Sequence, residues 1–335
     1  MFLFCSRKAV SSQSEKTLAP RPGARLNTPM SMTGKQAVYG APPLSLANVP
    51  ARAGQCSPLV PGAPGLEDAS DGSLQRIVIA APPGVLERRY VLAQGLRALK
   101  PGGELVAMAP KTRGGARLRK ELEAFGCQVA ETSKQHQRIC VCVRPVALSG
   151  IEAAIAAGGP QQPKALDGLW SQPGIFSWDR PDAGTDLLLP HVVGLAGAGA
   201  DLGCGTGSLA LAALASAKVE RLTLVDIDRR AIEAARRNLN DPRAAFLHAD
   251  LRDPEAPLSG LDFVIMNPPF HLSGTEDRGL GQVFIARAAA MLRKGGTLRM
   301  VANVGLPYEA ALGESFSRIK PLGQGRGFKL FEAIR

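Results

Sequence analysis

Two apolar runs of the same shape recur along the chain: IVIAAPPG at residues 77–84 and FVIMNPPF at residues 263–270. Each is a short, unbroken stretch of β-branched and other large apolar residues halted by two prolines. That pattern predicts a strand buried on both faces that ends in a turn. After the first run, LERRYVLAQGLRALKPGG (86–103) has helical spacing and is closed by Pro and Gly, and ELVAMAP (104–110) predicts the next strand. A basic loop then leads into a helix in KTRGGARLRKELEAFG (111–126), and RICVCVRP (138–145) predicts a last strand. The same order returns later, because AAMLRKGGTLRMVAN (289–303) aligns with LRALKPGGELVAMAP (96–110). The distance from PP to GG is 20 residues in the first copy and 27 in the second, so the second copy has a longer loop just after its NPPF. An internal duplication accounts for this periodicity.

The repeat divides the chain. Residues 1–35, rich in Ser, Pro, Lys and Arg, are expected to be a disordered arm, with Met30 and Met32 as alternative starts. Residues 36–148 form a first, smaller domain, 149–172 a linker leading into the second, and 173–335 the second domain. Of 335 residues 45% are apolar, enough for two cores, and no run reaches the length of a membrane span. Six cysteines without a CxxC pair and four histidines give no metal-ligand spacing, which predicts reduced thiols in a cytoplasmic protein. The net charge of +11 is unevenly placed: residues 1–150 hold 20 Lys and Arg against 9 Asp and Glu, and the remainder is balanced. A basic first half suits a polyanionic partner.

In ADLGCGTGSLALAAL (200–214) a short strand passes through Gly203, Cys204, Gly205 and Gly207 into an Ala/Leu helix. Glycines there permit close backbone approach to a ligand. RLTLVDID ends a second strand at Asp226, 19 residues after Gly207, where an acid can take both hydroxyls of a ribose. HAD puts Asp250 at the end of a third strand. A dehydrogenase is disfavoured, since its fingerprint GxGxxG is replaced by GCGTGS.

Together DLGCGTG, Asp226, Asp250 and NPPF resemble the class I S-adenosyl-L-methionine-dependent methyltransferases, over residues 173–335 and weakly over the first domain. The resemblance implies an α/β fold with two tandem Rossmann-like methyltransferase domains. The C-terminal one would be a seven-stranded, mostly parallel sheet, and the N-terminal one smaller and degenerate. It also implies that Asp201 and the glycines line the methionine part of the cofactor, that Asp226 with Ile227 holds the ribose, and that Asp250 with Leu251 meets the adenine. Asn267, Pro268, Pro269 and Phe270 would be the catalytic corner. There the Asn267 side-chain oxygen and the Pro268 carbonyl accept the two N–H groups of a planar amine, and Phe270 stacks on its ring. Ala81 occupies the corresponding position of the first copy and cannot accept a hydrogen bond, so that domain is expected to be non-catalytic.

NPPF occurs in enzymes acting on adenine N6, guanine N2 and the glutamine amide. His271 after the motif, the segment PGIFSWDRPDAGTDLLL and the ending GFKLFEAIR resemble the small-subunit ribosomal RNA guanine-N2 methyltransferases, through Phe176, Asp182, Gly184, Phe328 and Lys329. The chain departs from that family in a short first domain, in the 1–35 arm and in a shifted glycine, Gly274. The resemblance implies ribosomal RNA or the small subunit as partner; the chain is further expected to be a monomer with no membrane partner. His271, Phe328 and Lys329 would meet the target, Lys111, Arg113, Arg117, Arg119 and Lys120 the phosphates, and residues 271–279 would form a lid. An adenine-N6 or glutamine enzyme and a non-catalytic RNA-binding assembly factor remain as alternatives.

Overall fold

The computed structural model describes residues 35–43, 45–49, 52–253, 258–269, 271–272, 275–276 and 278–335. The expected arm, apart from Lys35, lies outside the described residues, as do Phe270 and Gly274. The first domain runs β1 (Gln36–Tyr39), β2 (Gly54–Gln55), β3 (Leu74–Ala80), α1 (Val85–Ala98), β4 (Leu99–Pro110), α2 (Ala116–Ala124), β5 (Val129–Lys134), β6 (Gln137–Val143) and α3 (Ile151–Gly158). The second runs α4 (Ala183–Val192), β7 (Gly197–Leu202), α5 (Ser208–Leu214), β8 (Val219–Asp226), α6 (Arg229–Asn238), β9 (Ala244–His248) and β10 (Leu261–Met266). It continues through the hairpin strands β11 (His271–Leu272) and β12 (Thr275–Glu276), then α7 (Arg278–Met291), β13 (Leu292–Asn303), α8 (Tyr308–Ser315), β14 (Arg318–Gly325) and β15 (Phe328–Ile334).

The second sheet has seven strands in the order β14-β15-β13-β10-β7-β8-β9, parallel except at β15, which is antiparallel to both neighbours. Its apolar runs alternate between two cores. Val264 and Met266 of β10 pack with α7 and α8, whereas Phe263 and Ile265 pack with α4 and α5. Burial on both faces explains why FVIM needs no polar position.

The first sheet has six strands in the order β2-β1-β3-β4-β6-β5. Superimposed by order, β2 matches β8, β1 matches β7, β3 matches β10, β4 matches β13, and the hairpin β5–β6 matches β14–β15; β9 has no counterpart among the described residues. The first copy is thus the same sheet, short of one edge strand among the described residues. It also has no counterpart of α5 or α6 among the described residues. At the strand end matching Asp226 stands Gln55, whose Nε2 donates to the Gly40 carbonyl and whose Oε1 accepts from the Cys56 and Ser57 amides.

Within the stretch expected as linker, residues 151–158 form α3, whose Ala154 and Ile155 pack into the core of the first domain. The domains are joined by buried charge. Arg230 of α6 donates to Glu87 of α1 at 2.7 Å and holds Asp228 through Nε and Nη2. The Pro58 carbonyl accepts from the Arg229 amide at 3.0 Å.

Candidate active site

Parallel pairing of β7 with β10 and β8 brings the predicted residues to one edge of the sheet. Leu202 is in register with Met266 on one side and with Val225 on the other, so Gly203, Asn267 and Asp226 leave adjacent strand ends. Gly203, Gly205 and Gly207 all have positive φ, of 74°, 53° and 86°. The Gly203 and Cys204 amides both donate to the Val225 carbonyl, which tightens the turn. A Cβ on Gly207 would strike Leu239, whereas one on Gly205 would meet nothing within 4 Å. Gly207 therefore serves packing, and Gly205 leaves a face on which a ligand can lie.

Asp201 is 1% exposed, and neither carboxylate oxygen has a hydrogen-bond partner among the described residues. Burial, followed by the charge of Asp226, raises its pKa to about 8; the Ala210 amide nearby opposes this slightly but does not reach hydrogen-bond geometry with either oxygen. Asp226 is better served. One oxygen accepts from the Gly205 amide and the other from the Asp228 amide, each at 2.9 Å. Burial raises its pKa to about 6, and these backbone donors hold it from rising further. Each oxygen keeps a lone pair for a hydroxyl. The next strand end presents buried Leu251 and, beside it, Asp250, which is forked to the guanidinium of Arg252 at 2.6 to 3.0 Å. Arg252 holds the Asp250 carboxyl below its ordinary range. His248 directs Nε2 at the carbonyls of Ile227 and Pro58, at 2.9 and 3.1 Å, so that nitrogen carries the proton. Cys204 is buried and its thiol is pushed well up, first by burial.

Asn267 is only partly buried, Pro268 is buried and Pro269 exposed. Asn267 Nδ2 donates to Asp182 Oδ2 at 2.8 Å and to Thr185 Oγ1 at 2.9 Å. Asp182 caps α4, its Oδ2 accepting from the Thr185 amide at 2.8 Å. Gly184 lies against the Phe328 ring, since an added Cβ would come within 2.9 Å of it. The fold thus gathers Asp182, Gly184, Asn267 and Phe328. Phe176 is 64% exposed, and Lys329 is tied to Glu309 at 2.6 Å. Sequence reasoning missed Thr185 and its contact with Asn267. The signal was the cap pattern Asp182-x-x-Thr185 before an apolar run.

The RNA-facing candidates Lys111, Arg117, Arg119 and Lys120 are exposed along the segment entering α2, Arg113 is half-buried there, and Arg119 pairs with Glu123 one turn on. His271 lies in the hairpin β11–β12 that follows the corner. In the first copy, the matching corner is filled from within. Arg88 donates to the Pro83 carbonyl at 2.7 Å and the Pro82 carbonyl at 3.3 Å, while Glu121 takes its Nε and Nη2 at 2.7 Å each.

The second domain therefore offers an orphaned buried carboxylate, an open glycine face and an acid with spare lone pairs in a row. This set fits S-adenosyl-L-methionine, with its cationic amine, its extended chain and its ribose. Residues 168–332 match the model of the methyltransferase small domain. The ribosomal RNA small subunit methyltransferase C of Pseudomonas paraeruginosa is 33% identical over 270 residues, which are 79% of this chain and 80% of the relative. The protein of that name from Pseudomonas aeruginosa strain LESB58 is 33% identical over 273 residues, covering 80% and 81%. Among solved structures, the T. thermophilus 16S rRNA N2 methyltransferase, in complex with AdoMet and guanosine, superposes with a TM-score of 0.66 at 24% identity, over 87% of this chain and 78% of that one, and so shares the two-domain fold. With the glycine turn, the acid at the second strand end and the Asn-Pro-Pro corner in place, and with relatives matched across both domains, the chain belongs to the ribosomal RNA small subunit methyltransferase C family.

Proposed function

We propose that the chain transfers a methyl group from S-adenosyl-L-methionine to the exocyclic N2 amine of a guanine in 16S ribosomal RNA, acting as a cytoplasmic monomer. The observation that carries this reading is the register Met266↔Leu202, which sets the Asn267 corner beside the Gly203 turn. Pro269 and the Gly203 face are close enough that a Cβ on Gly203 would lie 3.9 Å from the proline ring.

When bound, the cofactor supplies a methyl group on a sulfonium leaving group. The chain's own share is placement and charge. The Asp226 oxygens take the ribose hydroxyls, Asp201 meets the amine of the methionine part, and the Gly205 face admits the chain between them. An exocyclic amine is a weak nucleophile because its lone pair is spread into the ring. Asn267 Oδ1 and the Pro268 carbonyl each accept one of its N–H groups, drawing the nitrogen toward a tetrahedral form. The two prolines hold these acceptors still and bring no competing N–H. His248 is not needed as a base: its proton-bearing nitrogen is occupied, burial lowers its pKa, and the methylated cation loses its proton unaided. The 173–335 domain carries the chemistry. The 36–148 domain, its corner filled by Arg88, serves to dock RNA through Lys111, Arg113, Arg117, Arg119 and Lys120.

The test is nucleoside mass analysis of 16S rRNA and of small subunits after incubation with the protein and labelled cofactor. N2-methylguanosine that disappears in Asn267→Ala, with cofactor binding kept, is the expected result. Label in N6-methyladenosine or in protein glutamine, or none with either substrate, would overturn it.

A further inference from the structure

We infer that Asp182 and Thr185 act as a polarity clamp on Asn267, turning its amide so that only the oxygen faces the substrate and thereby restricting the corner to groups that bring hydrogen-bond donors, as an exocyclic amine does. The inference deepens the guanine-N2 reading and rests on it.

The orientation of an asparagine amide is chemically decided here. Asp182 as a carboxylate is acceptor-only, so the atom 2.8 Å from its Oδ2 must be the Nδ2 donor. Turning the amide over would set Oδ1 against a carboxylate oxygen and lose a charge-assisted bond. The second Nδ2 hydrogen goes to Thr185 Oγ1 at 2.9 Å, which leaves Nδ2 with no hydrogen to offer a ligand. Oδ1 has no partner among the described residues and is the one polar atom of this side chain still available. A base carbonyl or ring nitrogen without hydrogen at this place would meet another acceptor, whereas an amine finds one.

The clamp is itself held. The same Asp182 oxygen accepts from the Thr185 amide at 2.8 Å, and the Asp182 carbonyl accepts from the Asp186 amide at 2.9 Å, so the carboxylate is fixed to the first turn of α4. The Phe328 ring closes over Gly184, where a side chain would displace it. On the other side, Asn267 directly follows β10, whose last four residues are buried between two strands. Two elements far apart in the chain thus fix this one side chain, β10 through its backbone and the start of α4 through Nδ2. Asp182 and Thr185 are positioning residues, because they act through Asn267 and not on the reacting atoms.

Asp182 has two roles, cap and clamp, and substitutions separate them. Serine caps a helix about as well as aspartate, but its hydroxyl is too short to reach Asn267, while asparagine keeps both the cap and an oxygen of the same reach. In single-turnover assays on the full chain, Asp182→Ser should lower the methyl-transfer rate by about 100-fold, the scale of an ångström-level misplacement. KM and the dissociation constant for the cofactor should stay within a few-fold, and the unfolding temperature should not move. Asp182→Asn should recover at least about one-tenth of the wild-type rate, and Thr185→Ser should be faster than Thr185→Val. A wild-type rate in Asp182→Ser, or equal losses in the Ser and Asn variants, would overturn the clamp. So would a loss seen only in cofactor affinity or in folding. The product made by the wild-type chain is read separately. If it is not N2-methylguanosine, the functional reading fails, while the ranking of the variants on whichever amine is methylated still decides the clamp.

Discussion

Replacing Asp201 by asparagine should make the ligand-free protein more stable and the enzyme worse. The carboxyl is fully enclosed, unpartnered and close to Asp226, and its pKa stands at about 8 against an ordinary value of 3.8. The folded chain therefore keeps a proton that the unfolded chain gives up. Stability from this group is complete below about pH 4 and drains away as pH rises to about 8, beyond which it is flat. At pH 7 the native state bears the cost of protonation across roughly three pH units, about 4 kcal/mol, and at pH 9 about 6 kcal/mol. Asparagine fills the same space, is neutral in both states and removes that cost. Urea unfolding of the ligand-free wild-type and Asp201→Asn chains between pH 5.5 and 9 should give curves that diverge with pH, the variant being more stable by about 4 kcal/mol at pH 7. Cofactor affinity should fall, because the ionised carboxylate that would meet a cationic amine is gone. In calorimetric titrations at pH 7 the wild type should release a proton on cofactor binding, and the variant none. Superimposed unfolding curves would refute the reasoning, since they would mean that the carboxyl is not held neutral in the native state.

Other consequences can be measured as readily. Arg88→Met strands Glu121 as a buried charge and should cost about 3 to 5 kcal/mol in urea unfolding, most of it regained in the double variant with Glu121→Leu; an unchanged midpoint in the single variant would show that the filled corner contributes nothing. Asp226→Ala should raise the cofactor dissociation constant by about 100-fold through the loss of two charge-assisted bonds; an unaltered constant in a binding titration would move the ribose elsewhere. Arg117→Glu with Arg119→Glu should weaken RNA binding and reduce the slope of log affinity against log salt by about one for each phosphate no longer neutralised. A salt series with the wild-type slope would send the RNA to another surface.

Much of this protein was legible along the chain because it is written in short-range patterns. Apolar runs such as FVIM and IVIA are long enough to define buried parallel strands, and a repeated order of strand, turn, helix and strand implies two copies of one sheet. The glycine turn and Asp226 follow from the same local logic, being strand ends whose neighbours the topology supplies. The elements that escaped are those without such a signal. The strands β1 and β2 have four and two residues, too few for a period, and α3 lies in an alanine-rich stretch that reads equally well as a connector. The functional pairings that escaped join distant parts of the chain. Asn267 and Asp182 are 85 positions apart, Arg88 and Glu121 are 33 apart, and Arg230 reaches Glu87 across 143 residues. Side-chain periodicity can say which face of an element is buried, but not which polar group it finds there. That choice is made when the two sheets and their helices pack, because a buried donor must then take whichever acceptor the packing brings within reach.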